Sequence, residues 1–312
     1  MEERNMTISN LRKVSGFDLP TLTANNKINR ILTAALGERE TINVSSASSI
    51  YWQPKYFDLD RVSIFQESAD LEQQHILHQL NRGLLQESLS IEQAGVGYMA
   101  KMVLLADSIQ ERMLYSLFAA DETMHLAQLQ PYAPLEIAST ELNDPFLQLL
   151  SDIVESSDKT VLLFVLQVVL EGWGLTHYRS LARGCTDKPL RNLFQSFLQA
   201  ESRHHGTGVT LLNQAEISGN SKAAIVDCLA TFLQMVRVGP QRVVAAIATT
   251  KGHLSRPQRI QILQQLDTVS HSHQRLQLLK NLMASTSHDI VSQLADQDLF
   301  TPLNAEEAAN YG

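Results

Sequence analysis

The sequence predicts an all-α fold, a four-helix bundle with one long crossover followed by accessory helices. Three observations carry that expectation. Glycine and proline are only 14 and 9 of 312 residues and fall at segment boundaries, so the frequent turn signals of a sandwich or barrel are missing. Apolar residues recur at three- and four-residue spacing along the chain. Two pairs of long helical segments have short internal connections and are joined to each other by a long one, which is the connectivity of such a bundle.

Taken in order, residues 1–58 read as an irregular arm with a short helix near Lys27 to Leu36 and a loop-like Ser45 to Ser49. Val62, Phe65, Ala69, Ile76 and Leu80 predict a helix from Asp60 to Asn81 that stops at Gly83. Leu84 to Ala106 and Ser108 to Gln130 then form an antiparallel pair, closed by Pro131. The crossover, 132–158, carries a short helix from Pro145 to Ser156. Thr160 to Arg183 ends at Gly184, and Asp187 with Pro189 opens a helix that runs to Ala215. Further helices are expected at Ser221 to Val238, Pro240 to Thr250, Arg256 to Ala284 and Ser287 to Ala295. The whole reads as one all-α domain: an arm (1–58), a bundle (59–215) and accessory helices packed on it (216–300).

Composition narrows the function classes. A net charge of −8 argues against a general nucleic-acid binder, which carries a basic surplus to replace phosphate counterions. Cys185 and Cys228 are too few for a disulfide framework, and MEERNMTISNLRKV lacks the apolar centre of a signal peptide. The longest apolar run, Val161 to Leu170, contains Gln167 and ends at Glu171, well short of the roughly 20 residues that span a bilayer. The expectation is a cytoplasmic protein with neither nucleic acid nor membrane as partner.

The two hairpins align with each other, without a gap, at an offset of 79 residues. Glu92 falls on Glu171, Gly95 on Gly174, Arg112 on Arg191, Phe118 on Phe197, Glu122 on Glu201 and His125 on His204. In each half a glutamate precedes an E-x-x-H motif by 30 residues. All four glutamates lie on apolar stripes, such as Leu85, Leu89, Val96 and Met99 around Glu92, or Phe164, Val168 and Tyr178 around Glu171. Bare carboxylates gathered inside a bundle cost several kcal/mol each, so positive charge is required beside them. Two divalent metals would balance four glutamates. In E-x-x-H the glutamate and histidine share one face and one turn, so the glutamate can bridge two metals while the histidine binds one. Carboxylate and imidazole ligands suit iron, or alternatively manganese, better than a closed zinc site.

With that pattern established, residues 84–215 resemble the ferritin-like di-iron carboxylate superfamily, whose signature is Glu, E-x-x-H, Glu, E-x-x-H. The resemblance implies two iron ions, with Glu122 and Glu201 bridging, Glu92 and Glu171 terminal, and His125 and His204 giving one nitrogen to each metal. It implies an O2-dependent oxidase or oxygenase acting on a small organic substrate, with a ferroxidase or iron-storage protein as the alternative. Relatives often carry an aspartate that orients the histidine of the opposite hairpin; Asp121 stands in that position toward His204, and its counterpart is Ala200. Relatives that store a radical place a tyrosine where this chain has Leu129, and many oxygenases place a hydroxyl where it has Gly174 and Leu175.

Several other residues have two readings. His205 faces inward as an extra ligand or substrate-side acid, or is a histidine bonded to backbone. Tyr178 either bonds a ligand carboxylate or fills the core. Gly95, Gly97, Gly174, Gly206 and Gly208 either leave space for oxygen and substrate or allow close helix packing. A third E-x-x-H, Glu72 with His75, has no counterpart at the 79-residue offset and reads as solvated surface. Glu87 competes with Glu92 but aligns with Leu166. Lys222, Arg237, Arg242, Lys251, Arg256 and Arg259 make a basic stretch that could dock an acidic carrier protein, an electron donor or a substrate anion, or simply form solvated helix faces. Assembly as a homodimer is compatible with the sequence.

Overall fold

A cap-by-cap reading explains most helix boundaries in the computed structural model, which describes residues 13–23, 25–37, 50–133, 144–156 and 158–311. In chain order the helices are α1 (Lys27–Leu36), α2 (Ser63–Gln66), α3 (Asp70–Leu105), α4 (Ile109–Leu129), α5 (Pro145–Glu155), α6 (Lys159–Val161), a π-helical stretch (Leu162–Leu170), α7 (Glu171–Gly184), α8 (Lys188–Leu212), α9 (Gly219–Arg237), α10 (Gln241–Lys251), α11 (Arg256–Gln265), α12 (Thr268–Ala284), α13 (His288–Asp296) and α14 (Ala305–Ala308). Among the described residues there is no strand, only an isolated bridge between Trp52 and Cys185. The Ser45 to Ser49 loop and much of the crossover before Pro145 lie outside the described residues.

By its contacts the chain divides into two compact units, Met1–Ile42 with Ser88–Glu155, and Asn43–Glu87 with Ser156–Gly312. In the first unit, Ser108 caps α4 by accepting from the Glu111 N–H, and Glu111 reaches back to the Asp107 N–H at 2.9 Å, a reciprocal cap that fixes where the helix begins. The C-terminal part of α3 and α4 run antiparallel, since Glu92 meets His125 while Gly95 lies against Glu122. Lys101 Nζ donates to the Val154 carbonyl at 2.8 Å, tying α3 to α5. The turn before α1 is strapped to the same helices: Gln93 Nε2 donates to the Gly16 carbonyl at 2.8 Å, and the Val14 N–H donates to Glu155 at 2.7 Å.

In the second unit, the Asp158 carboxylate caps α6 through the Thr160 and Val161 N–H groups and also accepts from Ser221 Oγ at 2.6 Å. α7 and α8 are antiparallel around an aromatic layer in which Tyr178 stacks on Phe194 and meets Phe197 edge-on. Asn81 uses its whole amide: its oxygen accepts from the Tyr51 and Trp52 N–H groups, and its nitrogen donates to the Trp52 and Leu77 carbonyls. Trp52, fully buried, donates through its indole N–H to the Leu181 carbonyl at 2.9 Å. The run Lys159–Gly184 meets the length and composition of a membrane span, with a mean hydropathy of 1.4, but Leu162 to Val169 are all buried inside this unit.

Three element boundaries differ from the sequence expectation. The helix expected to stop at Gly83 instead runs through it, and the Asp60 to Gln66 stretch breaks into a 3-10 turn and the short α2. A glycine inside a helix costs only about 1 kcal/mol, less than the packing of the apolar residues on either side. The single helix expected from Arg256 to Ala284 is split at Asp267, which takes a left-handed φ of 48° and caps α12 with its side chain. α14, capped reciprocally by Asn304 and Glu307, was not anticipated.

Candidate metal centre

Within the first unit, Glu92, Glu122 and His125 converge. Each offers a ligand atom within 4.8 Å of the others, and all three are buried. Glu92 is 1% exposed, and its Oε2 lies 3.0 Å from His125 Nδ1. Glu122 owes its position to Gly95: a Cβ there would stand 2.8 Å from the Glu122 Cδ. Only a residue without a side chain lets the carboxylate fold back against α3, so the close-contact reading of this glycine applies.

Within the second unit, Glu171, Glu201 and His204 form the corresponding group, again with ligand atoms within 4.8 Å of one another. His204 is fully buried and its Nδ1 is 3.6 Å from Glu201 Oε2, the i,i+3 contact expected of one helical turn. Glu171 is the first residue after the π-helical stretch, and its N–H bonds the Leu166 carbonyl five residues back rather than four. A π turn is wider than an α turn and is frequent at functional sites.

The π stretch also places Gln167, to which sequence reading assigned no role beyond membership of an apolar run. Its side-chain amide donates to the His204 carbonyl at 2.9 Å, and its own carbonyl lies 3.1 Å from His205 Nδ1. His205 therefore sits on a backbone acceptor. Its ring lies outside both metal-ligand groups. Tyr178 belongs to the aromatic layer between α7 and α8, and Asp121 is half-buried beside Glu122.

The competing residues go elsewhere. Glu87 pairs with Arg242, and Glu72 pairs with Lys251 at 2.6 Å while His75 meets Gln79 on an exposed face. The basic stretch is largely engaged inside its own unit: Lys222 pairs with Asp289, Arg237 bonds the Thr301 carbonyl and lies 3.7 Å from Asp298, and Arg256 bonds the Glu306 carbonyl.

The donor sets fit a divalent metal. Each group supplies two carboxylates and one imidazole from one antiparallel helix pair, in a setting where an uncompensated carboxylate is costly. Such buried Glu and His groups could hold a metal ion, and oxygen-rich sets with one nitrogen match iron or manganese. Comparison with protein-family models, curated proteins and solved structures gives no significant match to this chain.

Proposed function

We propose that the chain is an O2-dependent non-haem di-iron oxidase or oxygenase acting on a small organic substrate. The carrying observation is the duplication. One Glu, Glu, His set occurs twice at one sequence spacing, and each copy is gathered on an antiparallel helix pair inside its own unit. This reading rests on the resemblance of the sequence pattern to the ferritin-like di-iron carboxylate superfamily, which implies two irons held by these six residues. Glu92, Glu122 and His125 from one set, and Glu171, Glu201 and His204 from the other, would hold the metals. When bound, two ferrous ions supply electrons for reduction of O2.

The chain's own residues hold and shield that site. Tyr115, Phe118 and Met99 in one unit, and Phe164, Val168 and Phe197 in the other, are buried apolar residues of the same helical segments, and a dry setting strengthens carboxylate contacts. Gln167 holds the α8 backbone at His204, so the imidazole it carries has a fixed approach.

The test is anaerobic reconstitution with Fe(II), a metal count and an optical spectrum on admitting O2. Two irons per chain, lost on Glu201→Ala, and an O2-dependent spectral change support the proposal. Absence of iron binding by the wild-type chain ends it. Uptake of many irons per chain by a cage-sized assembly assigns the protein to iron storage instead.

A further inference from the structure

The outward side of α4 carries a row of bare apolar residues. Ile109, Met113 and Leu117 follow one another at four-residue spacing along one side of the helix, with Leu114 beside them. Leu104 stands at the end of α3, just before the turn into α4. All five are between 41% and 78% exposed. The ligand side of α4, with Tyr115, Phe118, Glu122 and His125, is buried. Met113 and Glu122 are nine residues apart and so point to opposite sides of the helix. The row is therefore surplus to the packing that holds Glu122 and His125.

The internal repeat shows that a helix pair of this kind does not require such a row. At the 79-residue offset Leu104 falls on Arg183, Ile109 on Lys188, Met113 on Asn192 and Leu117 on Ser196. These four are exposed as well, along α7 and α8, and of the five only Leu114 keeps its type, as the buried Leu193. The same outward face is polar in the second half and apolar in the first. A polar face is adequately covered by water, whereas a contiguous apolar one marks an interaction site.

We infer that this face of α4 is the contact between two copies of the chain, packed about a two-fold axis. Such an interface must match itself. From Ile109 to Ala120 the one exposed charge is Arg112, at the margin of the row, so two copies can meet there without opposing like charges although each carries a net −8. A centre without charge and a polar margin, here Gln110 and Ser116, is the pattern of a protein interface. A face that lies on lipid is instead flanked by several lysines and arginines. The five side chains offer roughly 500 Å² per copy, so two copies with their margins reach about 1,200 Å², the lower end of stable interfaces. α1 also bares Ile28, Ile31 and Leu32, but the chain leading to it is fastened elsewhere. The Gly16 carbonyl is held by Gln93, and the Val14 carbonyl fills the place of a Cβ on Gly97. Gln93 and Gly97 share a side of α3 turned away from Gly95, which fronts α4. The interface does not depend on the metal reading.

Sedimentation equilibrium of the full-length protein tests this. A species of twice the 34.8 kDa chain mass is expected to form as concentration rises. Met113→Glu and Leu117→Glu should each raise its dissociation constant ~100-fold or more, since each would bury an unpaired charge. Leu71→Glu, at a leucine 80% exposed in the other unit, should leave it unchanged. Oxidation of Met113 by hydrogen peroxide, read by peptide mass, locates the contact: the wild-type dimer should protect it and Leu117→Glu should restore its reactivity. A single-chain mass at ~100 μM, where even a micromolar interface would be formed, overturns the inference. So does a dimer undisturbed by Leu117→Glu, one equally disturbed by Leu71→Glu, or one in which Met113 oxidises freely. The substituted side chains are exposed in the single chain, so unchanged helical circular dichroism verifies that each variant folds.

Discussion

Gly95 and Glu122 show at the scale of single residues how a carboxylate is aimed by an absence. The Glu122 side chain lies where any Cβ on residue 95 would be, so Gly95→Ala must displace the ligand rather than merely crowd it. Iron affinity is expected to fall roughly 10–100-fold, as when a ligand's support is removed, measured by competition with a chromophoric chelator; unchanged affinity would contradict the assigned geometry. His177 and His271 make a second residue-scale prediction. Burial first, and then the Arg275 charge, hold them at about 4 and about 3 against an ordinary 6.5. Because the folded values are the lower ones, the unfolded chain takes up protons first on acidification. Their stabilising effect is therefore complete above pH 6.5 and is lost as the pH falls toward the folded values. The metal-free protein should lose up to ~1.4 kcal/mol per pH unit per histidine over that window. His271→Asn should flatten the dependence in urea titrations, and an identical slope in the variant would refute the assignment.

At the scale of elements, the E-x-x-H pairs and the hairpins that carry them were legible because both are local: a three-residue spacing fixes a shared helix face whatever the rest of the chain does. Glu92 was distinguished from Glu87 by the repeat alone, and the structure places Glu92 beside His125 and Glu87 beside Arg242. Gly83 was misread as a stop because its penalty is small and the decisive term, packing on both sides of it, is non-local. Gln167 was missed for the same reason, since its role arises from an element far away in sequence. The π-helical stretch was invisible because its apolar run has no periodicity to distinguish an α from a π turn. Gln167 gives this element a test. Gln167→Leu removes its hydrogen bond to the His204 carbonyl and should cost about 1 kcal/mol of stability together with a measurable drop in iron occupancy. Lost stability with full occupancy would make Gln167 purely structural.

For the molecule as a whole, both units carry half of the proposed ligand set, so metal binding and folding should be linked. A ligand bound only by the folded state stabilises it by about 2.7 kcal/mol at a free concentration 100 times its Kd. Fe(II), or Mn(II) under air, should therefore raise the thermal midpoint, and a chelator should reverse the rise. Glu171→Ala should abolish most of that increment while leaving the metal-free stability within about 1 kcal/mol of the wild type, because Glu171 is only partly buried. A metal-independent midpoint in the wild type would argue that the groups are not ligands.

The π-helical stretch before Glu171 has a further consequence, for how this chain tolerates changes of length. A π turn is geometrically an α turn carrying an extra residue, whereas the α3 segment around Glu92 is a regular helix. Deleting one residue from a buried helix ordinarily rotates everything beyond it by about 100° and destroys the fold. Between Leu162 and Leu170 a deletion would instead restore regular hydrogen bonding, and the rotation would fall on the upstream residues relative to Glu171. The two halves, so closely matched from their glutamates onward, differ in the one place where the second half has slack to lose a residue.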